Sequence, residues 1–202
     1  QWDIDLTPLP PAIGYPSVTS VWVDESELTA DVRTAPSWRA SAKVGVDVLN
    51  ERSLGQNVID VTDLLQHRVG GGGCALVIRN TVRRAQETYR ALRERFGADT
   101  VLLHSRITVG ERAERTERVL GLLGRPAGAG SEPRRPERLI VVATQLAEQS
   151  FDVDVDLLVT DLAPIDLLLQ RIGRLHRHQR PPESRPLLVR APRVVVTGLF
   201  GG

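Results

Sequence analysis

The chain contains no methionine, one cysteine and one lysine among its 202 residues, and only 4% of it is aromatic. A lone cysteine, Cys74, excludes an internal disulfide, so nothing in the thiol content points to an oxidising compartment. Long apolar runs are missing too. Leu139 to Ala143 is typical of those present, of strand length and far short of the roughly 20 residues a membrane-spanning helix needs. The opening residues, Gln1-Trp2-Asp3-Ile4-Asp5, have neither the basic nor the apolar region of a signal peptide. A cytoplasmic location with no membrane partner is the expectation, and the missing methionine gives the further expectation of a piece of a longer polypeptide. The formal charge of +1 is uninformative about partners, because a local basic patch can hide in a balanced total. With Lys43 the sole lysine, the positive charge is carried by arginine, which suits bidentate contact with phosphate, although a codon bias yields the same excess.

Several nucleotide and metal motifs are also absent. A Walker A loop needs Gly-Lys followed by Ser or Thr, and Lys43 is flanked by Ala42 and Val44. Gly70-Gly71-Gly72-Gly73 precedes an apolar strand-like run, whereas a phosphate-cradling glycine loop follows a strand and opens a helix; it reads as a hinge or spacer. Asp152, Asp154 and Asp156 alternate with valines, but a calcium loop needs glycine and glutamate where Leu157 and Ala163 stand. The remaining readings are a strand edge with solvated carboxylates, or one aspartate reaching a ribose hydroxyl. No HExxH or Cys-His cluster is present, so no zinc site is expected.

What is present is a regular alternation. Residues 1–40 are proline-rich and read as an extended linker, with Val18 to Val23 a possible strand and all three tryptophans, Trp2, Trp22 and Trp38, placed to pack at a domain rim. Val44 to Leu49 alternates like a strand, and Val58 to Val69 fits a short helix. Cys74 to Arg79 is a continuous apolar run, the pattern of a buried parallel strand. Val82, Ala85, Tyr89, Leu92 and Phe96 then mark an amphipathic helix closed by Gly97. Thr100 to His104 is a strand, Thr108 and Glu111 a capping box opening a helix to Gly124, and 124–136 a surface loop. Leu139 to Ala143 and Asp156 to Thr160 are strands, Pro164 opens a helix, and Leu187 to Arg190 and Val194 to Thr197 read as the last strands. Together these predict an open, mostly parallel α/β sheet with helices on both faces, occupying residues 41–202.

In such sheets ligands meet the carboxyl ends of the strands. Asn80-Thr81, His104-Ser105-Arg106 and Thr144 through Asp152 occupy those positions. On the last helix Ile165, Leu168, Leu169, Ile172 and Leu175 would share one face. Gln170, Arg174 and Arg177 would share the opposite one, with Gly173 leaving room beside them. Two guanidinium groups one turn apart form a clamp for a phosphate chain; a solvated arginine face is the plainer reading. Arg135 and Arg138, beside the loop, read either as a solvated charge run or as DNA contacts.

These segments resemble the second motor lobe of superfamily-two helicases. Gln170-Arg171-Ile172-Gly173-Arg174-Leu175-His176-Arg177 is similar to motif VI, Ala143-Thr144-Gln145 through Asp152 to motif V, and Asn80-Thr81-Val82 to motif IV. Over residues 74–180 the resemblance narrows to the CRISPR-associated helicase-nuclease of type I systems. It rests on Val77 to Val82, Ala143-Thr144-Gln145, Glu148-Gln149-Ser150, the three alternating aspartates and Gly173 to His178; Phe151 and Ile107 are mild departures. The resemblance implies a RecA-like lobe that works only beside a first lobe carrying the Walker residues and magnesium ligands, with ATP bound between them. Arg174 and Arg177 would touch the γ-phosphate, with Gln170 and Gly173 near the nucleotide and Asp152 at the ribose. Asn80, Thr81, Ser105, Arg106 and Thr144 would face the backbone of single-stranded DNA. The implied partners are single-stranded DNA, the first RecA-like lobe and HD nuclease domain of the same polypeptide, and a CRISPR surveillance complex. Alone, the chain is expected to bind no cofactor and to be inactive. A restriction-type translocase, a DEAD-box RNA helicase and a non-motor binding module are the alternatives.

Overall fold

The computed structural model describes residues 17–24, 27–34, 39, 41–50, 54–125, 135–145 and 151–198. The chain divides into two compact units, 1–43 and 44–202. In the first, β1 (Ser17–Asp24) and β2 (Glu27–Thr34) pair antiparallel over their full length, Ser17 opposite Thr34 and Asp24 opposite Glu27. The expected strand at Val18 to Val23 lies within β1. Its partner β2 was not anticipated, because Glu-Leu-Thr-Ala-Asp-Val-Arg-Thr mixes charge through a strand that is alternating only in part. Trp22 is exposed on β1; Trp2, Trp38 and the proline-rich stretch of residues 9–16 lie outside the described residues.

The second unit is built on one six-stranded sheet: β3 (Gly45–Val48), β4 (Gly73–Ile78), β5 (Thr100–Leu103), β6 (Arg138–Ala143), β7 (Leu157–Asp161) and β8 (Arg193–Thr197). Their order across the sheet is β3-β8-β7-β4-β6-β5, and every pairing is parallel. Central strands of such a sheet are covered on both faces, which is why β4 and β6 read as unbroken apolar runs. Two cores result. On one face Ala75, Val77, Ile140, Val142 and Val159 pack with Val61, Leu65 and Val69 of α1 (Leu54–Val69) and Ala85, Leu92 and Phe96 of α2 (Val82–Phe96). On the other, Cys74, Leu76, Ile78, Val141 and Leu158 pack with Val119 and Leu123 of α3 (Val109–Leu123), the extended segment Phe151–Val155, and Leu175.

The cap read from the sequence at Thr108 acts as such, and Thr81 caps a helix as well. Thr81 Oγ1 accepts from the Arg84 N–H (3.2 Å) and Thr108 Oγ1 from the Glu111 N–H (3.4 Å), satisfying amides that the first helical turn leaves open. The glycine run is the turn from α1 into β4, with Gly72 and Gly73 at φ of 127° and 114°, where a side chain is strained. A Cβ on Gly73 would also meet Val189 Cγ2 at 3.2 Å.

Two expectations fail. Leu187 to Arg190 is no strand: Leu187–Val189 is a 3-10 turn capped by Pro186, and Pro192 follows. Only Val189 is drawn into the core, while Leu187 and Leu188 face solvent. The last helix, α4 (Ile165–Ile172), stops at Gly173 rather than running on to His178. The Gly173 N–H closes on Leu169 O, and Leu175 then leaves helical geometry to pair with Val155 and bury itself completely. His176 follows with a left-handed φ of 47°. Among the described residues no helix is long and apolar enough to cross a membrane.

Candidate functional site

Because β4 to β8 run in parallel, the turns after them meet at one edge of the sheet. Asn80 and Thr81 follow β4, Ser105 and Arg106 follow β5, and Thr144 follows β6. Ser105 and Arg106 are exposed; the turn is shaped by buried His104, whose Nδ1 accepts the Arg106 N–H at 3.1 Å. Burial, reinforced by nearby Arg115, holds His104 below the usual imidazole value, so it stays neutral. Thr144 is itself buried, its N–H donated to Leu103 O at 3.1 Å. The five candidate DNA contacts therefore share one edge, where Asn80, Thr81, Ser105 and Arg106 are exposed and Thr144 is buried.

Asn80 is tied inward. Its backbone N–H donates to Asp161 Oδ2 (2.8 Å), its Nδ2 to Leu162 O (2.8 Å), and its Oδ1 accepts from Arg171 Nη2 (3.3 Å). Asp161 also accepts from Arg79 Nη1 and Thr197 Oγ1, each at 2.9 Å, with Arg84 Nη2 at 3.3 Å. Burial alone would raise this carboxyl, but Arg79, the Asn80 amide and Arg84 outweigh it and hold it below the usual carboxylate range. Arg171, within α4 and fully buried, donates to Thr160 Oγ1 at 2.7 Å and Asp161 O at 3.0 Å. Motif reading assigned this arginine no separate role, yet it ties α4 to the sheet.

The other candidates lie elsewhere. α4 starts beside the carboxyl end of β7 and runs back along the sheet, so that Leu175 pairs with Val155 just ahead of β7. The expected helical clamp of Gln170, Arg174 and Arg177 therefore does not form as one face: Arg174 and Arg177 stand beyond the helix. Arg174 Nη1 donates to Gln170 O at 3.0 Å; Gln170 itself is exposed. Arg177 donates from Nε to Asp152 Oδ1 (2.5 Å) and from Nη1 to Gly173 O (3.3 Å). His178 Nε2 lies 3.0 Å from the same Asp152 oxygen. Desolvation would raise Asp152, but the hydrogen bonds from His178 and Arg177 win and keep it ionised. A Cβ at Gly173 would approach Gln170 O at 3.1 Å, so the glycine lets the turn close on its own helix. The apolar face expected of α4 is split, with Ile165 and Leu169 largely exposed and Ile172 packed on the core.

At the amino edge lies a cluster that sequence reasoning misread. Asp154 and Asp156, expected to be solvated, are 1% exposed. Arg185 bonds both, Arg135 donates to Asp154 O (2.7 Å) and Asp156 Oδ2 (2.8 Å), and Arg180 stands 3.5 Å from Asp154. The Cys74 N–H adds a bond to Asp156 Oδ2 at 2.8 Å. Desolvation opposes ionisation of Asp156, and Arg135, Cys74 N–H and Arg185 overcome it. Arg135 is thus a structural residue, as is Arg138, which donates to Asp99 and to Gly70 O; neither belongs to a solvated run. Alternation showed three aspartates in step but could not show arginines about 20 to 30 residues away. Among the described residues no group of three or more His, Cys, Asp or Glu side chains could hold a metal ion.

A parallel six-stranded sheet with helices on both faces, carrying polar turns at its carboxyl edge and an arginine-bearing turn after α4, defines a RecA-like helicase lobe. The second domain of the DEAD-box helicase Mss116p shares this fold, with a TM-score of 0.51 at 16% identity over 76% of this chain. The family described as CRISPR-associated nuclease/helicase Cas3, C-terminal, matches residues 71–180, and the chain belongs to it. It is 42% identical over 139 residues to the CRISPR-associated nuclease/helicase Cas3 of Streptococcus thermophilus, covering 68% of this chain and 14% of that protein. It is 40% identical over 202 residues to the CRISPR-associated endonuclease/helicase Cas3 of Thermus thermophilus, covering 78% of this chain and 20% of the relative. The crystal structure of T. fusca Cas3 with ATP superposes with a TM-score of 0.70 at 34% identity, over 90% of this chain and 21% of that one. The chain thus spans a fifth or less of the length of these relatives. The residues Glu148-Gln149-Ser150, part of the resemblance, lie outside the described residues.

Proposed function

We propose that residues 41–202 are the C-terminal motor lobe of an ATP-dependent single-stranded-DNA helicase that unwinds target DNA for nuclease degradation in CRISPR interference, with residues 1–40 joining it to a preceding domain. The observation that carries this reading is the turn after α4. Arg171 anchors its start, and two guanidinium groups, Arg174 and Arg177, follow within one loop, the second aligned by ionised Asp152. An ATP γ-phosphoryl group presented by the first lobe would meet both arginines, with Gln170 and Gly173 alongside. Charge developing on it in the transition state would be stabilised, an effect worth roughly 10³–10⁵ in rate. Asp152 serves here chiefly to aim Arg177; a ribose contact is the lesser duty, since its Oδ1 already accepts two donors.

Thr81, Ser105 and Arg106 line the path for the DNA backbone, with Asn80 and Thr144 shaping it from within. Such contacts read phosphate and sugar rather than base, so affinity should be insensitive to sequence and fall with salt. Magnesium would be held by the first lobe. The whole protein's partners on this reading are single-stranded DNA, that lobe, an HD nuclease domain and a CRISPR surveillance complex. A CRISPR RNA-guided surveillance complex in its pre-nicking state contains a chain 32% identical to this one, over 91% of this chain and 22% of that one. The 202-residue chain alone should neither hydrolyse ATP nor cut DNA. The test is ATP hydrolysis by the parent protein, with and without single-stranded DNA, for wild type and Arg174→Ala. The variant should lose at least about 10³-fold in rate and keep its DNA affinity; undiminished hydrolysis would overturn the assignment.

A further inference from the structure

The two candidate sites sit at different places on the lobe, and a continuous set of hydrogen bonds runs from buried Arg171, at the foot of the turn carrying Arg174 and Arg177, to the exposed Asn80-Thr81 turn. It starts at Arg171, three residues before Arg174 and on the same helical turn as Gln170. The Arg171 guanidinium is fully buried and donates to three acceptors: Thr160 Oγ1, Asp161 O and Asn80 Oδ1. Asn80 is the first residue of the turn that presents Thr81. Its side chain is bound at both ends and its backbone N–H is held by Asp161. Asp161 in turn is fixed by Arg79 and Thr197, and Arg79 by Thr88 of α2 at 3.0 Å. A displacement of the α4 turn that moves the Arg171 guanidinium must stretch its bond to Asn80 or carry the Asn80-Thr81 turn with it. Low local dielectric makes either choice strongly felt, because a buried donor or acceptor left unpaired is expensive.

We infer that Arg171 and Asn80 are positioning residues that couple nucleotide occupancy at the Arg174–Arg177 turn to DNA affinity at the Asn80-Thr81 turn. This rests on the functional reading above. Neither residue is required to touch ATP. For Asn80 the inference replaces direct DNA contact by its side chain with a role in transmitting the nucleotide state, since both ends of that side chain are already engaged. Arginine at 171 is needed because only a planar fork of donors reaches three acceptors at once; a lysine ammonium cannot span them.

The quantity that tests coupling is a ratio: the Kd for a single-stranded DNA oligonucleotide without nucleotide, divided by that with AMP-PNP. It is measured on the intact parent protein. For coupled sites the wild-type ratio should differ from one by roughly 5-fold or more. Arg171→Lys and Asn80→Ala should each bring it to about one, whatever happens to either Kd alone. A residue that merely stabilises the fold, or merely binds DNA, would change both Kd values in parallel and leave the ratio intact; that result overturns the inference. Asn80 stands at an exposed turn, so its variant carries the test if Arg171→Lys does not fold. A wild-type protein that binds no DNA, or shows no nucleotide dependence, sinks the functional reading and the coupling with it. By contrast, a wild-type ratio preserved in both variants sinks the coupling alone.

Discussion

At the carboxyl edge of the sheet a single carboxylate, Asp161, gathers donors from the turn after β4, from α2 and from β8; at the amino edge two carboxylates, Asp154 and Asp156, are enclosed by three arginines. Both clusters are buried, and Asp161 in one and Asp156 in the other are kept charged by the same physics. They differ in where they lead. The Asp161 cluster continues through Asn80 and Arg171 to residues that face solvent. The other clasps the crossover before β7 to the proline-rich segment that follows His178, beside a cavity of about 270 Å³ between Gly73, Arg135, Arg180 and Pro186, and reaches Asp152 through His178, whose N–H donates to Asp154 Oδ1 at 3.4 Å. The first network thus ends at the proposed DNA edge, whereas the second ends at the turn that carries Arg177. Burial of charge by itself does not mark a functional site.

The comparison is most exposed to failure at Arg185. Arg185→Ala leaves two buried carboxylates short of a partner they share and should cost about 3–5 kcal/mol of stability by urea denaturation, with the DNA-to-nucleotide coupling ratio of any folded fraction unchanged. A coupling change there would erase the distinction between the two edges. Helix caps come next. Thr81→Ala and Thr108→Ala should each cost about 1 kcal/mol, but only the first, at the proposed DNA edge, should also weaken DNA binding.

Acid should separate the groups by window. His104 and His176 are each held below the usual imidazole value, by burial first and by Arg115 and Arg185 respectively. The unfolded chain takes up protons below roughly pH 6.5 while these folded histidines do not, so their contribution is full above that pH and lost as pH falls towards the folded values. Asp156 and Asp161, held low, contribute fully above roughly pH 4 and lose their share only below it. Denaturation at stepped pH should show the histidine decline first, and His176→Gln should flatten part of it. The smallest effect is at Asp152. Its exposed pair with Arg177 should be worth under about 1 kcal/mol, so Asp152→Asn should leave stability nearly untouched while slowing ATP hydrolysis by the parent protein.

What could be read from the sequence follows the range of the interaction. β4, β5, β6, β7 and β8 were visible as short apolar runs, α2 through its periodicity and α3 through its threonine cap, because each signal spans a few adjacent residues. The end of α4 was not, since the buried pairing of Leu175 with Val155, 20 residues away, overrides a helical pattern that continues on paper. Arg171 was overlooked for the same reason: its partners Thr160 and Asn80 are 11 and 91 positions distant. Motif resemblance supplied the names of Arg174 and Arg177 but not their separation from the proposed DNA edge, which follows from the direction of α4.

The strand order carries a temporal consequence. β3, the first strand of the sheet to be synthesised, has one neighbour, β8, the last, and Asp47 meets Arg193 across 146 residues of chain. As the polypeptide leaves the ribosome β3 must wait, unpaired and with Val46 and Val48 on its open side, until nearly the whole lobe has emerged. The sheet is thus sealed by its ends meeting, so a product interrupted anywhere before β8 cannot complete it, and such a remnant is left with the bare edge that proteolysis and aggregation both recognise.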